Sequence, residues 1–311
     1  MRILITGASG QIGSNLAVAL LQQGHAVEAT DIRRNTWTDK LNEHIVDLVA
    51  LGRQSQPISP RQRPDVLVHL AAHAKVFELV QSPHKAAENV LMLFPILEYA
   101  RREGVPLVLA SSREVYGDIH QWITAEPTAD FVVSRSPYSA SKIAAEAFLY
   151  AYHQCYNLPC LAFRFSNVYG RYDCDLSRME RVIPLFIDRI ARELPIEVYG
   201  RDKILDFTYV DDCISGVVAG IAQLAAGKIS NETINLAYGR GYALEDVVNI
   251  IGAGLGKTPQ VTWLPARAGE VTRYVADISK ATRLLGYAPR TCLSAGLLQS
   301  IAWQREAGFL K

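Results

Sequence analysis

The feature that most restricts this chain is a glycine-studded turn set between a strand and a helix. Arg2-Ile3-Leu4-Ile5-Thr6 reads as a buried strand and runs straight into Thr6-Gly7-Ala8-Ser9-Gly10-Gln11-Ile12-Gly13, where a helical pattern begins. Glycines at 7, 10 and 13 permit a tight turn, close approach of the backbone to a pyrophosphate, and tight packing of helix on strand. The helix start, with the amides of Gln11 and Ile12, offers donors and a favourable dipole to an anion. A glycine pattern alone is weak evidence; the strand before it and the helix after it supply the confirming context. Asp31 ends the second strand about twenty residues further on, where a carboxylate can accept both hydroxyls of an adenosine ribose. It would repel a 2′-phosphate, so the residues favour NAD over NADP. Arg33 and Arg34 follow at once and reverse that preference if one of them reaches back.

The first two-thirds of the chain continues the alternation. Ile3–Thr6, Ala26–Asp31, Val66–Leu70, Leu107–Ser111 and Cys160–Phe165 read as buried strands, and Ile12–Gln23, Lys85–Glu103 and Ser136–Tyr156 as amphipathic helices. Such alternation predicts an α/β fold, a Rossmann-type doubly wound parallel sheet covered on both faces. Near Asn167 the pattern becomes irregular, although Val182–Arg192, Asp212–Ala226, Leu244–Leu255 and Ile278–Leu285 keep helical spacing. We therefore expect a nucleotide-binding domain over residues 1–167 and a smaller C-terminal substrate-binding lobe over 168–311, with some exchange of chain between them. The 311 residues carry a formal charge of +1 with scattered basic residues, which argues against nucleic-acid or membrane partners. No apolar run reaches membrane-spanning length. The N-terminus enters a strand directly, without the layout of a leader. Five cysteines without CxxC spacing predict neither a disulfide framework nor a metal site and fit a reducing compartment, so a cytoplasmic protein is expected.

In Ser136-Pro137-Tyr138-Ser139-Ala140-Ser141-Lys142, Tyr138 and Lys142 lie four apart at the start of a predicted helix and share a face. A free phenol titrates near pH 10. A neighbouring ammonium and an oxidised nicotinamide would favour the phenolate, making it a base for a hydroxyl whose carbon gives up a hydride. Spacing alone is weak, because Tyr199 and Lys203 repeat it in a glycine-containing, strand-like stretch. Helical context separates the two pairs. Ser111-Ser112-Arg113-Glu114-Val115-Tyr116-Gly117 follows a strand, where catalytic groups of open α/β sheets gather. A serine hydroxyl there can hydrogen-bond the reacting oxygen, or simply cap loop backbone.

These pieces together, TGxxGxxG, SSxxVYG and YxxxK, resemble the extended short-chain dehydrogenase/reductase family, in particular its nucleotide-sugar epimerases and dehydratases. Further family-like pieces are His69-Leu70-Ala71-Ala72, Arg164-Phe165-Ser166-Asn167-Val168-Tyr169-Gly170, Asp206-Phe207-Thr208-Tyr209-Val210-Asp211-Asp212 and Arg267-Ala268-Gly269-Glu270. The resemblance implies Ser112, Tyr138 and Lys142 as a catalytic trio, with Glu114 as a further candidate. It implies a cofactor site of Gly7, Gly10, Gln11, Ile12, Gly13, Asp31 and Arg33, with Asp47 and Leu48 beside the adenine, and Leu70, Ala71 and Ala72 after the fourth strand. For a UDP-linked sugar it implies Asn167 at the diphosphate, Tyr199 stacked on the base, Arg267 on a phosphate, and Glu270 and Arg113 nearby. Tyr274 would gate the size of the sugar substituents and favour plain hexoses such as those of UDP-glucose and UDP-galactose. A homodimer is implied through the helices 85–103 and 136–156.

Two positions depart from the family pattern. Leu205 stands where many relatives carry a phosphate-binding arginine, and Arg113-Glu114 follows the catalytic serine where plain epimerases have small or neutral residues. The leading expectation is a 4-epimerase that oxidises C4 and returns the hydride to the other face. The alternative is a 4,6-dehydratase using Glu114 as the C5 base, or a glucuronate epimerase or decarboxylase in which Arg113 receives the carboxylate. Arg113 speaks against dehydration, because a cation stabilises the Glu114 carboxylate and weakens it as a base. A catalytically silent NAD-binding protein fits less well, since the whole trio is present.

Overall fold

The computed structural model describes residues 1–117, 134–176 and 181–310. Six strands precede residue 167: β1 (Arg2–Thr6), β2 (Ala26–Asp31), β3 (Asn42–Ile45), β4 (Val66–His69), β5 (Leu107–Ser112) and β6 (Cys160–Phe165). They are followed by β7 (Asn167–Tyr169), β8 (Ile196–Tyr199), β9 (Ile204–Tyr209), β10 (Glu232–Leu236), β11 (Gly241–Ala243), β12 (Val261–Leu264) and β13 (Arg273–Tyr274). The central sheet runs β10-β6-β5-β4-β1-β2-β3, and every pairing in it is parallel. Its seventh strand, β10, comes from beyond residue 230 and extends the sheet past β6.

Alternate residues of the strands feed two separate cores, as the period of a strand requires. Ile3, Ile5, Val66, Val68, Val108 and Phe163 pack on one face with α1 (Gln11–Gln22), through Leu16 and Leu20. Leu4, Leu67, Leu107 and Leu109 pack on the other face with Leu93, Ile96 and Leu97 from the His84–Glu103 helix and Leu149 from the Pro137–Tyr156 helix. Burial on both sides leaves every residue of β4, β5 and β6 buried and makes their sequences mostly apolar.

Nine further helices follow α1: α2 (Leu48–Arg53), α3 (Val76–Gln81), α4 (His84–Glu103), α5 (Pro137–Tyr156), α6 (Val182–Ala191), α7 (Val210–Ala225), α8 (Leu244–Leu255), α9 (Ser279–Leu285) and α10 (Leu293–Glu306), all among the described residues. Sequence spacing places α4 through α9 within two residues of these ends but misses the short α2 and α3 and the longer α10. For α10 the reason is its inner face, which buries Gly296, Ser300 and Gln304 beside Leu293, Leu297 and Ile301, so that no continuous apolar stripe marks it. Outside the central sheet, β9 pairs with β7, β11 and β13, and β8 pairs with β12. Among the described residues no helix is long and apolar enough to cross a membrane.

The sheet order reverses between β1 and β4, so the chain leaves these strands in opposite directions and opens a crevice at their carboxyl ends. That is where open α/β sheets bind ligands.

Candidate active site

The crevice deepens into a cleft of about 670 Å³ that runs from the glycine turn, past the ends of β4 and β5, to the β8–β9 turn. It collects nearly every residue expected from sequence. Gly7, Gly10, Gln11, Ile12, Gly13, Asp31, Arg33, Asp47, Leu48, Leu70, Ala71 and Ala72 line one end; Ser112, Arg113, Glu114, Tyr138, Lys142 and Asn167 line the middle; Tyr199, Arg267 and Glu270 line the other end.

At the first end the glycines have separate physical reasons. Gly7 has φ +73°, and a Cβ on it would stand 2.6 Å from the Ala71 nitrogen, while a Cβ on Gly13 would stand 2.2 Å from the Gly7 oxygen. Both are forced by packing of turn, strand end and helix. Gly10 is different: a Cβ there would meet only the Gly7 oxygen, at 3.2 Å, and α1 starts directly after it with no side chain capping its amides. An uncapped helix start facing a cleft is the cradle a pyrophosphate needs. The Asp31 carboxylate is held by the Ser9 amide at 2.9 Å and the Arg33 amide at 3.3 Å, which leaves acceptor capacity for a ribose diol. Asp47 caps α2 with one carboxylate oxygen, accepting from the Val49 and Ala50 amides. These residues fit a dinucleotide with an unphosphorylated adenosine ribose.

In the middle of the cleft α5 presents Tyr138 and Lys142. Its start is fixed by a capping box, in which Ser136 and Ser139 bond each other's amides, with Pro137 in the first turn. Tyr138 therefore sits in the first turn and Lys142 one turn later on the same side. The Lys142 ammonium donates to the Ala110 carbonyl at 2.9 Å and lies 5.8 Å from the Tyr138 ring centre. Burial pulls Lys142 down to about 8, against the attraction of Glu146. Burial pushes Tyr138 up to about 12; the Ser112 hydroxyl, hydrogen-bonded to it, counteracts this, and Glu114 adds to it. The expected direct lowering of the phenol by Lys142 is thus not the leading effect here. Ser112 supplies it, because the lysine ammonium is turned toward a β5 carbonyl.

Arg113 and Glu114 form an ion pair at 3.1 Å, and Arg113 also donates to the Asn167 side-chain oxygen at 3.1 Å. The second Arg113 terminal nitrogen is buried and has no hydrogen-bond partner among the described residues. Behind it lies Tyr274, whose ring centre is 5.7 Å from the guanidinium carbon. Tyr274 corrects the expectation of a size gate. It is fully buried, stacked on Tyr116, and is not among the residues lining the cleft. The physical reason is packing: the Tyr274 ring is enclosed by Val115, Tyr116, Ala237, Val271 and Ala276, a small core behind the wall.

At the far end the Arg267 guanidinium lies 3.8 Å from the centre of the Tyr199 ring and 5.0 Å from that of Phe77, and Tyr199 donates its hydroxyl to Glu197 at 2.7 Å. Lys203 is ion-paired with Glu270, and Leu205 also reaches the cleft wall. Among the lining residues that sequence reasoning did not assign to the site are Phe77, Asp173, Arg181 and Lys203. Asp173 pairs with Arg181 at 3.2 Å, and Arg181 also donates to Gln11, linking the glycine turn to the second half of the chain. No local pattern marks Asp173 or Arg181, whereas Lys203 stood in plain view as the rejected partner of Tyr199.

The profile described as the NAD dependent epimerase/dehydratase family matches residues 3–237. A UDP-glucuronate 4-epimerase of Thermodesulfobacterium geofontis is 29% identical, with 97% of this chain and 96% of that protein aligned. A dTDP-glucose 4,6-dehydratase of Actinoplanes sp. is 29% identical over 98% of each. Among solved structures, a Thermus thermophilus UDP-glucose 4-epimerase in complex with NAD superposes with a TM-score of 0.85 at 29% identity, covering 99% of this chain and 100% of that one.

Proposed function

This chain is a member of the NAD-dependent epimerase/dehydratase family, of the extended short-chain dehydrogenase/reductase type, and we propose that within it the protein is a UDP-sugar 4-epimerase. Its relatives divide between 4-epimerases and 4,6-dehydratases, so the choice rests on the cleft itself. The observation that carries it is the Arg113–Glu114 ion pair at 3.1 Å. Dehydration needs a carboxylate free to take the C5 proton. Here Glu114 is 5% exposed and engaged by the adjacent guanidinium. Epimerisation asks nothing of it.

In this reading NAD, when bound, supplies the hydride acceptor and, in its oxidised form, a positive charge. Gly7, Gly10, Gln11, Ile12 and Gly13 hold its pyrophosphate, and Asp31 holds its adenosine ribose. Tyr138 takes the proton of the 4-hydroxyl at its phenolic oxygen as the C4 hydride departs, and Ser112 hydrogen-bonds the same oxygen. The 4-keto sugar turns over in the cleft. Hydride then returns to the opposite face and Tyr138 gives its proton back, so the reaction is balanced without water or an external reductant. Lys142, 5.8 Å from the Tyr138 ring centre, adds positive charge to this side of the cleft. Residues 1–167 mainly serve NAD and 168–311 mainly serve the nucleotide sugar. A homodimer through α4 and α5 belongs to the same proposal, with Phe148, Tyr150 and Tyr156 left exposed on α5. So does a cytoplasmic location, which the five free cysteines suit.

UDP-glucose and UDP-galactose are the first substrates of this reading. A second sugar is favoured by the partnerless Arg113 nitrogen, since a buried donor without an acceptor calls for one and a uronate carboxylate provides it. UDP-glucuronate 4-epimerisation uses the same chemistry at C4. Steady-state turnover of UDP-glucose and UDP-glucuronate distinguishes the two substrates, and Arg113→Gln should penalise only the uronate. In the same assay Tyr138→Phe should lose on the order of 10²–10⁴ in kcat, while Glu114→Gln should keep most of it. Retained activity in the first variant, or collapse in the second, would overturn the assignment.

A further inference from the structure

The far end of the cleft holds a buried lysine that the reaction chemistry leaves without a task. Lys203 is 6% exposed, and its stem folds back across the β8–β9 turn, where its Cε would stand 2.8 Å from a Cβ on Gly200. Gly200 has φ +84° and receives the Lys203 amide at its carbonyl, so the turn is shaped to let this side chain lie along it. The ammonium ends on Glu270, whose amide in turn bonds the Arg267 carbonyl at 3.4 Å. Tyr199, Lys203, Arg267 and Glu270 thus form one closed group at the cleft wall.

The charges of this group point to its ligand. The β8–β9 segment and the 267–270 loop bring to the cleft wall two cations, Lys203 and Arg267, and two carboxylates, Glu197 and Glu270. Glu197 is committed to the Tyr199 hydroxyl. Glu270 is one-quarter exposed and sits on a loop, so it can turn toward water. Leu205, on the same side of the chain two residues further on, brings no charge. Without Lys203, Arg267, 3.8 Å from the Tyr199 ring centre, would be the one cation that these two segments bring to a diphosphate at the cleft wall. Taking an ammonium out of water is costly unless a partner is present throughout, and Glu270 is that partner while the cleft is empty.

We propose that Lys203 is a diphosphate-binding residue, held ready by Glu270 and passed to the nucleoside diphosphate when the substrate enters. The proposal rests on the reading of the cleft as a nucleotide-sugar site but not on the fate of the sugar. Arriving phosphate oxygens displace the Glu270 carboxylate, the Lys203 ammonium keeps a charged acceptor, and Glu270 swings outward. The exchange couples substrate entry to a movement of the 267–270 loop.

The test is calorimetric titration of the NAD-loaded protein with UDP and, separately, with uridine. Lys203→Met should raise the dissociation constant for UDP on the order of ten- to a hundredfold, the scale of a charge-assisted contact, and leave that for uridine unchanged. Lys203→Arg should recover most of the UDP affinity, and added salt should weaken UDP less in the Met variant than in the unaltered protein. If Lys203→Met unfolds the turn, the paired variant Lys203→Met/Glu270→Gln, which removes both charges, carries the same comparison. Unchanged UDP affinity, or equal loss of UDP and uridine, would overturn the proposal and make Lys203 a support for the turn. Failure of the unaltered protein to bind either UDP or dTDP would instead remove the nucleotide-sugar reading itself.

Discussion

At the scale of single residues, the cleft holds ionisable groups in states that their free forms would not adopt. Tyr138 is pushed up to about 12 by burial and Lys142 down to about 8, so the ligand-free cleft keeps its phenol protonated. A positive charge beside the phenol would lower it, the part that an oxidised nicotinamide would play. Asp173 is the clearest case outside the catalytic pair: burial raises it to about 7, and Arg181 opposes the shift. Its folded value lies above that of a free carboxyl, so the native state binds the proton more tightly. The stability it contributes is full below about pH 4 and is lost as the pH rises toward 7. Asp173→Asn should therefore gain on the unaltered protein in melting temperature across that window, with the gain growing as pH rises. A difference that stays flat with pH would show that Asp173 does not titrate there. None of this was legible in the sequence, because Asp173 and Arg181 meet Gln11 only through the fold. The motif residues were legible, since the spacings of a turn and of one helical turn are local. Tyr274 marks the boundary between the two: its distance from Arg267 along the chain says nothing about which side of a sheet it faces.

At the scale of elements, the geometry of the reactive pair depends on how α5 begins. The Ser136 hydroxyl accepts from the Ser139 amide at 3.1 Å, and Ser139 answers at the Ser136 amide at 3.1 Å. Tyr138 lies between these two residues, so the cap fixes the phenol as well as the helix. Ser136→Ala should cost about 1 kcal/mol, a fall of about 2 °C in melting temperature for a chain of this size. It should lower kcat more than it raises KM, because it loosens the base and not the nucleotide site. Calorimetry and kinetics on one preparation check both; an unaltered kcat would mean that packing alone positions Tyr138. Elements with strong periodicity or clear caps were readable from sequence, as Leu244–Leu255 shows residue for residue. α10 was not, because its buried face mixes glycine, serine and glutamine with its aliphatic residues.

At the scale of the whole molecule, distant segments meet around the two halves of the cleft. β10 extends the first-half sheet from beyond residue 230, and Trp37, in the loop after β2, stacks on Tyr172 at 5.7 Å and meets Trp303 at 6.1 Å. Glu146, one turn beyond Lys142, receives both Ser111 and Arg164, the latter at 2.7 Å, and so fastens α5 to β5 and β6 behind the catalytic wall. The sheet was readable because each strand is buried on both faces; the strand that returns to it from the second half was not, since nothing in Glu232–Leu236 names its neighbour. What this assembly accomplishes at C4 of the sugar is the central claim. The most direct test is to incubate the NAD-loaded protein with UDP-glucose and with UDP-glucuronate in D₂O and follow the products by proton NMR. The account predicts the C4 epimer of at least one of them, with C5 still carrying its original proton. Deuterium at C5 in a 4-keto-6-deoxy product, or loss of CO₂, would contradict it.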